Sequence, residues 1–332
     1  MTDSMDSLDD LVLRAKVKLH PLLFPHNPNE NGVLLGELLF QLLTNAPTDS
    51  GKRFIARRII DVAEAEGDSG LANLAASFLS DMLFPIVSLS DTIARSGGHD
   101  EKSLLKWALP PQTKLYKTLI KREDGKCGLL GYMDRYVLSE MRKEGKAAPA
   151  WVLEKGLVVP CVPTHILPIC SSNSVNDQDP NDPTKRMRDL LNDWAGMDVA
   201  QLVGPTVHAP HNSMFMNMED RGGFTTFIAW LEATGSENEY VPRSPRGLST
   251  FYYTKPLPPT RFPTKAESGI DPPDPTLLKI HAALSRVIHA CKADKVYEKE
   301  MEERAKADME WVEIPSMSTL RLSDSMETIR GN

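Results

Sequence analysis

Three residues in the second half of the chain have types suited to chemistry. His165 lies in the extended apolar stretch VPTHILPI (162–169), where a histidine has no obvious packing reason to be. Asn212 opens a strand-like stretch in HNSMFMNMEDRGGF (211–224), and Arg221 follows it nine residues later. A guanidinium beside an imidazole and an amide is a good cradle for a phosphate or a carboxylate. If the fold brings the three together, they predict a pocket for an anionic substrate.

Short strands and helices are predicted to position these residues. Residues 156–162 and 164–169 have a β-like composition, and the stretch that begins at Asn212 is predicted to be a strand. A further run, 224–231, is either a strand or a helix. Helices are predicted at about 111–122, 185–194 and 198–203, and the first of them is followed by an acidic and glycine-containing turn at 123–126.

The rest of the chain is predicted to be mainly helical. Apolar residues recur at helical spacing through the first hundred residues, which predicts a helical N-terminal region over 1–105. Residues 106–310 are predicted to form an α+β domain. Within it, 241–275 is expected to be an extended proline-rich connector and 275–308 a closing helix. The tail 311–332 is rich in Ser, Thr and Met and is predicted to be disordered.

Composition limits the class of protein. The chain has 332 residues, a formal net charge of −7 and a pI of about 5.7. This acidity argues against a protein that grips duplex nucleic acid mainly by bulk charge, because phosphate binding relies on Lys and Arg. The four cysteines are too few for a disulfide scaffold. The acidic start MTDSMDSLDD predicts no signal peptide, and the sequence has no run of about 18 apolar residues. We therefore expect an intracellular protein, cytoplasmic or nuclear, that does not span a membrane. Nothing indicates its oligomeric state.

Four separated pieces of the sequence occur in an order that is typical of a known family. They are LIKREDGKCGLLGYMD (119–134), VPTHILPI (162–169), WAGMDVAQLVGPTVHAPHNSMFMNMEDRGGF (194–224) and DPPDPTLLKIHAALSRVIHACKADKVYEKEMEE (271–303). Together they resemble fungal proteins that carry an HNH endonuclease-type domain. The resemblance covers residues 110 to 305. It implies a ββα-metal core, two strands and a helix around one divalent cation, embedded in a mainly helical protein with an N-terminal helical bundle.

The resemblance also implies roles for particular residues. His165 matches the general base that activates water against a phosphate, and Asn212 matches the residue that holds the loop or orients that base. Mg²⁺ or Mn²⁺ would stabilise the charge on the phosphate. No structural zinc is expected, because Cys127 lacks a paired C-x-x-C knuckle. His208 and His211 flank the same turn, either as a metal pair or as solvent-facing residues.

The sequence departs from the family at the third motif position. Arg221 stands where the family has a metal-binding histidine, and a guanidinium has no lone pair to offer a metal. Asp220 or Glu219 would have to act as the oxygen ligand instead. The pair Gly222 and Gly223 weakens the helix that should carry such a ligand. Arg221 is better suited to binding a phosphate or a carboxylate.

A basic cluster is the expected contact surface for such a substrate. The expected substrate-binding residues are Arg122, Lys126, Lys185 and Arg186, although an ordinary solvated surface explains them equally well. Three functions stay open. The first is an HNH-like phosphodiesterase or endonuclease acting on nucleic acid. The second is a non-nuclease enzyme of fungal specialised metabolism that uses His165, Asn212 and Arg221. The third is a non-catalytic interaction protein that binds its partner through the helical N-terminal region.

Overall fold

The computed structural model of this chain is an α+β fold in which helices predominate and the strands form small sheets. It describes residues 7–23, 34–96, 110–150, 152, 158–169, 179, 182–245, 259–295 and 299, without the side chains of 91–96, 110–113 and 219. The predicted disordered tail, 311–332, therefore lies outside the described residues.

Helices make up most of the described chain. They are α1 (Leu8–Leu23), α2 (Leu35–Asn45), α3 (Asp49–Phe78), α4 (Phe84–Ser96), α5 (Pro110–Arg122), α6 (Arg135–Lys143), α7 (Pro183–Ala195), α8 (Val199–Val203), α9 (Met218–Thr225), α10 (Lys265–Ser268) and α11 (Pro275–Ala290). A π-helical turn, Leu79–Leu83, joins α3 to α4. Gly67 kinks α3, because its φ of 65° is not helical.

The strands are short and pair in three separate groups within the described residues. They are β1 (Met133–Asp134), β2 (Val158–Val159), β3 (Cys161–His165), β4 (Ser213–Asn217), β5 (Trp230–Ala233), β6 (Glu239–Arg243) and β7 (Thr260–Arg261). Strands β1 and β2 are parallel, and β3 and β4 are antiparallel. Strand β6 lies between β5 and β7 in an antiparallel sheet.

The N-terminal helices share one hydrophobic core with the rest of the protein. The indole Nε1 of the buried Trp194, on α7, donates to the carbonyl of Leu42 on α2 at 3.0 Å. On α11, Nε of Arg286 donates to Oδ1 of Asn45 at 2.8 Å. The first four helices are therefore built into the fold rather than appended to it. The expected boundary near residue 105 falls in 97–109, outside the described residues.

The start of α3 lies very close to α7. The hydroxyl of Thr48 caps α3 by accepting from the Gly51 amide at 3.1 Å, and it donates to the carbonyl of Ala195 at 2.8 Å. A Cβ on Gly51 would lie only 1.9 Å from the carbonyl oxygen of Trp194. The packing of these two helices therefore requires glycine at position 51.

One helical stretch, Asp49–Ser90, is long and apolar enough to cross a membrane by length and composition. However, 56% of its apolar window is buried inside the protein. Ile55, Ile59 and Phe78, all within it, belong to the shared core. A helix that is mostly buried in the core passes the same test of length and composition, so the stretch is only weak evidence for a membrane span.

The structure describes parts of two predicted elements. The proline-rich stretch 241–275, predicted as an extended connector, contains the end of β6, all of β7 and α10, while 246–258 lie outside the described residues. A capping box starts α10: Thr264 accepts from the Glu267 amide, and Glu267 accepts from the Thr264 amide. The closing helix predicted over 275–308 is observed as α11 up to Ala290; Lys292 then takes a φ of 64°, and residues 293–295 and 299 are again helical. Residues 296–298 and 300–308 lie outside the described residues.

Candidate active site

Strands β3 and β4 and helix α9 form one unit around His165. The antiparallel register pairs Cys161 with Asn217 and His165 with Ser213, so His165 ends β3 where β4 begins. Helix α9 starts at Met218, directly after β4, and packs back against both strands. The run 224–231 is thus the end of this helix and the start of β5.

Asn212 clamps the loop that follows His165. It is fully buried; its Oδ1 accepts from the amide of Leu167 at 3.0 Å, and its Nδ2 donates to the carbonyl of Leu167 at 2.8 Å. The same Nδ2 also donates to the carbonyl of Val207 at 3.1 Å. Because both ends of the amide are engaged with backbone, Asn212 is a positioning residue that holds the loop beside His165.

His165 forms a hydrogen-bonded pair with His208. Nε2 of His165 lies 3.0 Å from Nδ1 of His208, and the two ring centroids are 5.0 Å apart. One of these nitrogens must carry the proton and the other must accept it, so the contact couples the tautomers of the two rings. Both residues are half-buried.

Arg221 lies within electrostatic reach of this pair. Burial, followed by His208 and the positive charge of Arg221, lowers the pKa of His165 to about 3. Burial also lowers the pKa of His208 and that of Arg221. At neutral pH His165 is therefore uncharged, so one of its ring nitrogens has a lone pair, while an arginine keeps its charge in proteins.

The expected metal ligands do not form a metal centre with the other described residues. Asp220 is buried, and its Oδ2 accepts from Nδ2 of Asn217 at 3.5 Å. The side chain of Glu219 lies outside the described part of the structure. No group of three or more His, Cys, Asp or Glu side chains in that part is arranged to hold an ion. The charge beside His165 that the structure does describe is the positive charge of Arg221.

Arg122 is placed in the core instead of on a substrate-binding surface, which corrects the expectation from the basic cluster. Its side chain has no solvent exposure and forms an ion pair with the buried carboxylate of Glu123. Nη1 donates to the carbonyls of Pro210 at 2.7 Å and Asp271 at 3.1 Å, and Nη2 donates to that of Ser213 at 2.6 Å. Arg122 thus ties α5 to the segment that leads into β4.

Glu123 completes this buried network. Its Oε2 accepts from the Phe215 amide on β4 at 2.9 Å. Burial raises the pKa of Glu123 to about 7, although the adjacent Arg122 acts in the opposite direction. The pair Arg122 and Glu123 therefore supports the strand that carries the site, and both residues are inaccessible to a substrate.

The remaining basic residues each lie near an acidic partner. Nζ of Lys126 is 3.1 Å from Asp124, and Nζ of Lys185 is 2.6 Å from Asp189. Arg186, also on α7, lies 3.7 Å from Asp81 of the π-helical turn. Ion pairs of this kind on the surface are weak, so a substrate can compete for the three side chains. The structure does not group them with Arg122.

His208 is the site residue that sequence reasoning missed. The sequence predicts a shared role for His208 and His211, but in the structure the two histidines have different partners. Nε2 of His211 donates to the carbonyls of Leu202 and Val203 at 3.1 and 3.0 Å, which caps the end of α8. The position of His208 is the signal that could have identified it. His208 lies shortly before β4, and the start of β4 pairs with the end of β3, where His165 lies.

Comparisons with family models, curated proteins and solved structures find no match to this chain. The function must therefore be argued from the site.

Proposed function

We propose that this protein is an HNH-like phosphodiesterase of the endonuclease type, acting on nucleic acid. In this proposal β3, β4 and α9 are the two strands and the helix of a ββα core. The observation that carries it is the position of His165 at the end of the first strand, hydrogen-bonded to His208 and under the electrostatic influence of Arg221 on the helix. A base beside a fixed positive charge suits attack of water on a phosphodiester.

In the proposed reaction His165 is the general base. Nε2–H of His165 donates to Nδ1 of His208, which leaves Nδ1 of His165 with a free lone pair. That nitrogen takes a proton from water as the water oxygen bonds to phosphorus. The ester oxygen then leaves with the electrons of its bond to phosphorus and takes a proton from solvent. His208 is a positioning residue in this scheme, because it selects the tautomer of His165.

Arg221 binds the phosphate in this reaction. Its guanidinium can donate two parallel hydrogen bonds to the non-bridging oxygens and offset the negative charge that develops during attack. Asp220 and Glu219 are the residues that would hold Mg²⁺ or Mn²⁺, which would supply further stabilisation of the charge on the phosphate. The cleavage assay described below, with chelator, Mg²⁺ or Mn²⁺, measures whether either ion raises the rate of phosphodiester cleavage.

A second candidate function has a specific observation in its favour. Arg221 stands at the position where a nuclease of this family would have a metal-binding histidine. The same His165 and Arg221 pair suits a non-nuclease enzyme that acts on a small phosphate- or carboxylate-bearing substrate. Such an enzyme would leave nucleic acid intact but bind a small anion at Arg221.

The test is cleavage of supercoiled plasmid and of single-stranded DNA and RNA by the full chain. Each substrate is incubated with chelator, with Mg²⁺ and with Mn²⁺. We expect cleavage that falls about 100-fold or more in His165→Ala, since a general base contributes about 10²–10⁴ in rate. Arg221→Ala should lose activity that Arg221→Lys recovers in part, because Lys retains the charge without the bidentate geometry.

Lys143→Ala is the matched control, since Lys143 is an exposed residue on α6 with a surface ion pair. It should cleave at the wild-type rate. If the wild type cleaves none of the substrates under any metal condition, the nuclease proposal fails. Phosphate binding that depends on Arg221 would then favour the small-molecule enzyme.

A further inference from the structure

A second positively charged surface lies on α6, outside the His165 unit. A pocket of about 370 Å³ is lined by Arg135, Leu138, Ser139, Arg142 and Val158. Leu138 is buried and Val158 half-buried, so they form an apolar floor. The two arginines and the serine are exposed. The pocket thus combines an apolar base with two cations and a hydroxyl.

The helical spacing puts the three polar side chains on one face. Arg135, Ser139 and Arg142 are separated by four and then three residues, which is the spacing of neighbours along one side of an α-helix. At about 1.5 Å per residue, the Cα atoms of the two arginines are roughly 10 Å apart along the axis. This separation suits a ligand with successive anionic groups, with the Ser139 hydroxyl between them as a donor.

The carboxylates that the structure describes near α6 do not pair with these two arginines. The nearest acidic residues of the segment are engaged by lysines: Lys143 lies 2.6 Å from Glu140, and Lys146 lies 2.7 Å from Glu144. Within the described ranges, neither arginine lies within ion-pair distance of a carboxylate. In a chain of formal net charge −7, such a surface is a local exception.

The acidic residue just before α6 points inward. Asp134 is buried, and its carboxylate accepts from the amides of Val137 at 2.9 Å and Cys161 at 2.8 Å. It therefore does not neutralise the pocket. The same contact ties the start of α6 to the start of β3. From there β3 leads to His165 in four steps of about 3.3 Å, or about 13 Å.

We propose that this α6 pocket, formed by Arg135, Ser139 and Arg142, binds the phosphate backbone of a nucleic-acid substrate. Repeated phosphates can contact both exposed guanidiniums, and a chain-like ligand can reach from α6 to His165. The proposal rests on the function proposed above, to which it adds a binding surface separate from the catalytic unit.

Binding of a fluorescein-labelled single-stranded oligonucleotide to the full chain tests the proposal. It is measured by anisotropy in the inactive His165→Ala background, so that cleavage does not interfere. Arg135→Ala/Arg142→Ala should weaken binding about three- to tenfold, in line with two solvent-exposed charge contacts. It should also reduce the slope of log K against log salt by about 1.4, since each phosphate contact on a single strand contributes about 0.7.

Lys143→Ala/Lys146→Ala is the matched control. It removes the same total charge from the same segment, but from lysines that already face carboxylates. Equal losses in the two double variants would overturn the proposal, as would wild-type affinity after the arginine substitutions. Polyglutamate that binds with the same arginine dependence as the oligonucleotide would assign the surface to acidic peptides instead. If the oligonucleotide binds through the arginines but the wild type never cleaves it, the catalytic proposal fails and the proposal for the α6 pocket is retained.

Discussion

Replacing Arg122 with methionine tests how the structure beneath the site is held. The substitution removes donors to Glu123 and to the carbonyls of Pro210, Asp271 and Ser213. It leaves a buried carboxylate without its cation and three carbonyl oxygens without those donors. Removing one partner of a buried ion pair costs about 3–5 kcal/mol, so we expect the free energy of unfolding to fall by about 4 kcal/mol near pH 8.

The effect of Arg122→Met should depend on pH through Glu123. Burial raises the pKa of Glu123 to about 7 in the folded protein, and loss of Arg122 removes an influence that lowers it. Between the ordinary value of 4.5 and the raised folded value, the folded state binds more protons than the unfolded state. Stability therefore falls as pH rises through that window. The variant should lose less at about pH 5.5, where Glu123 is protonated, than at about pH 8.

Urea unfolding at both pH values measures this prediction. Lys121→Met is the matched control, because Lys121 is exposed and adjacent on α5. Adding Glu123→Gln to Arg122→Met should recover part of the loss near pH 8, since it removes the unpaired charge. A loss below about 1 kcal/mol for Arg122→Met, as expected of a surface pair, would refute the buried-network interpretation.

Three further predictions address the clamp, the packing of two helices and a buried histidine. Asn212→Asp keeps an acceptor for the Leu167 amide but loses the donor to two carbonyls, so chemical denaturation should show a loss of at least about 2 kcal/mol. Gly51→Ala puts a methyl group 1.9 Å from the Trp194 carbonyl, and thermal unfolding should show a loss of at least about 2 kcal/mol. Burial lowers the pKa of His281 to about 3, so wild-type stability should fall as pH drops below 6.5, where the unfolded histidine binds its proton. His281→Phe should make this decline less steep, by up to about 1.4 kcal/mol per pH unit, in urea titrations between about pH 7 and pH 4.

Each of these predictions has a control in the same chain. Asn192→Asp should be close to neutral, because the Oδ1 that accepts from Val199 at 2.9 Å is retained. Gly222→Ala, with open space around the new Cβ, should be neutral or stabilising by up to about 1 kcal/mol. The control for His281→Phe is His20→Ala, which removes an exposed histidine on α1. Equal effects of a variant and its control would contradict the corresponding contact.

Local patterns predicted many of the elements near the site. The helices expected at about 111–122 and 185–194 are observed as α5 and α7, and the strand expected after Asn212 is β4. Periodicity and turn residues act over a few positions, so they are visible in the sequence. The start of α10 also has a local signal, Thr264 with Glu267 three residues later, which the surrounding prolines concealed.

Long-range contacts explain what the sequence could not show. The burial of Arg122 depends on carbonyls of Pro210 and Asp271, which are 88 and 149 positions away in the chain. The pairing of His165 with His208 depends on the return of the chain to β3. Tertiary contacts of this kind override the average preference of arginine and histidine for the surface.

The most direct test of the central claim is the pH dependence of phosphodiester cleavage by the wild type, His165→Ala and His208→Ala. Because the pKa of His165 is lowered to about 3, wild-type activity should persist well below pH 6.5 and decline only towards that value. His165→Ala should be inactive at every pH. His208→Ala should reduce the rate and shift the acidic limb upward, since it removes a neighbour that lowers the pKa of His165. Cleavage by His165→Ala at the wild-type rate would contradict the account.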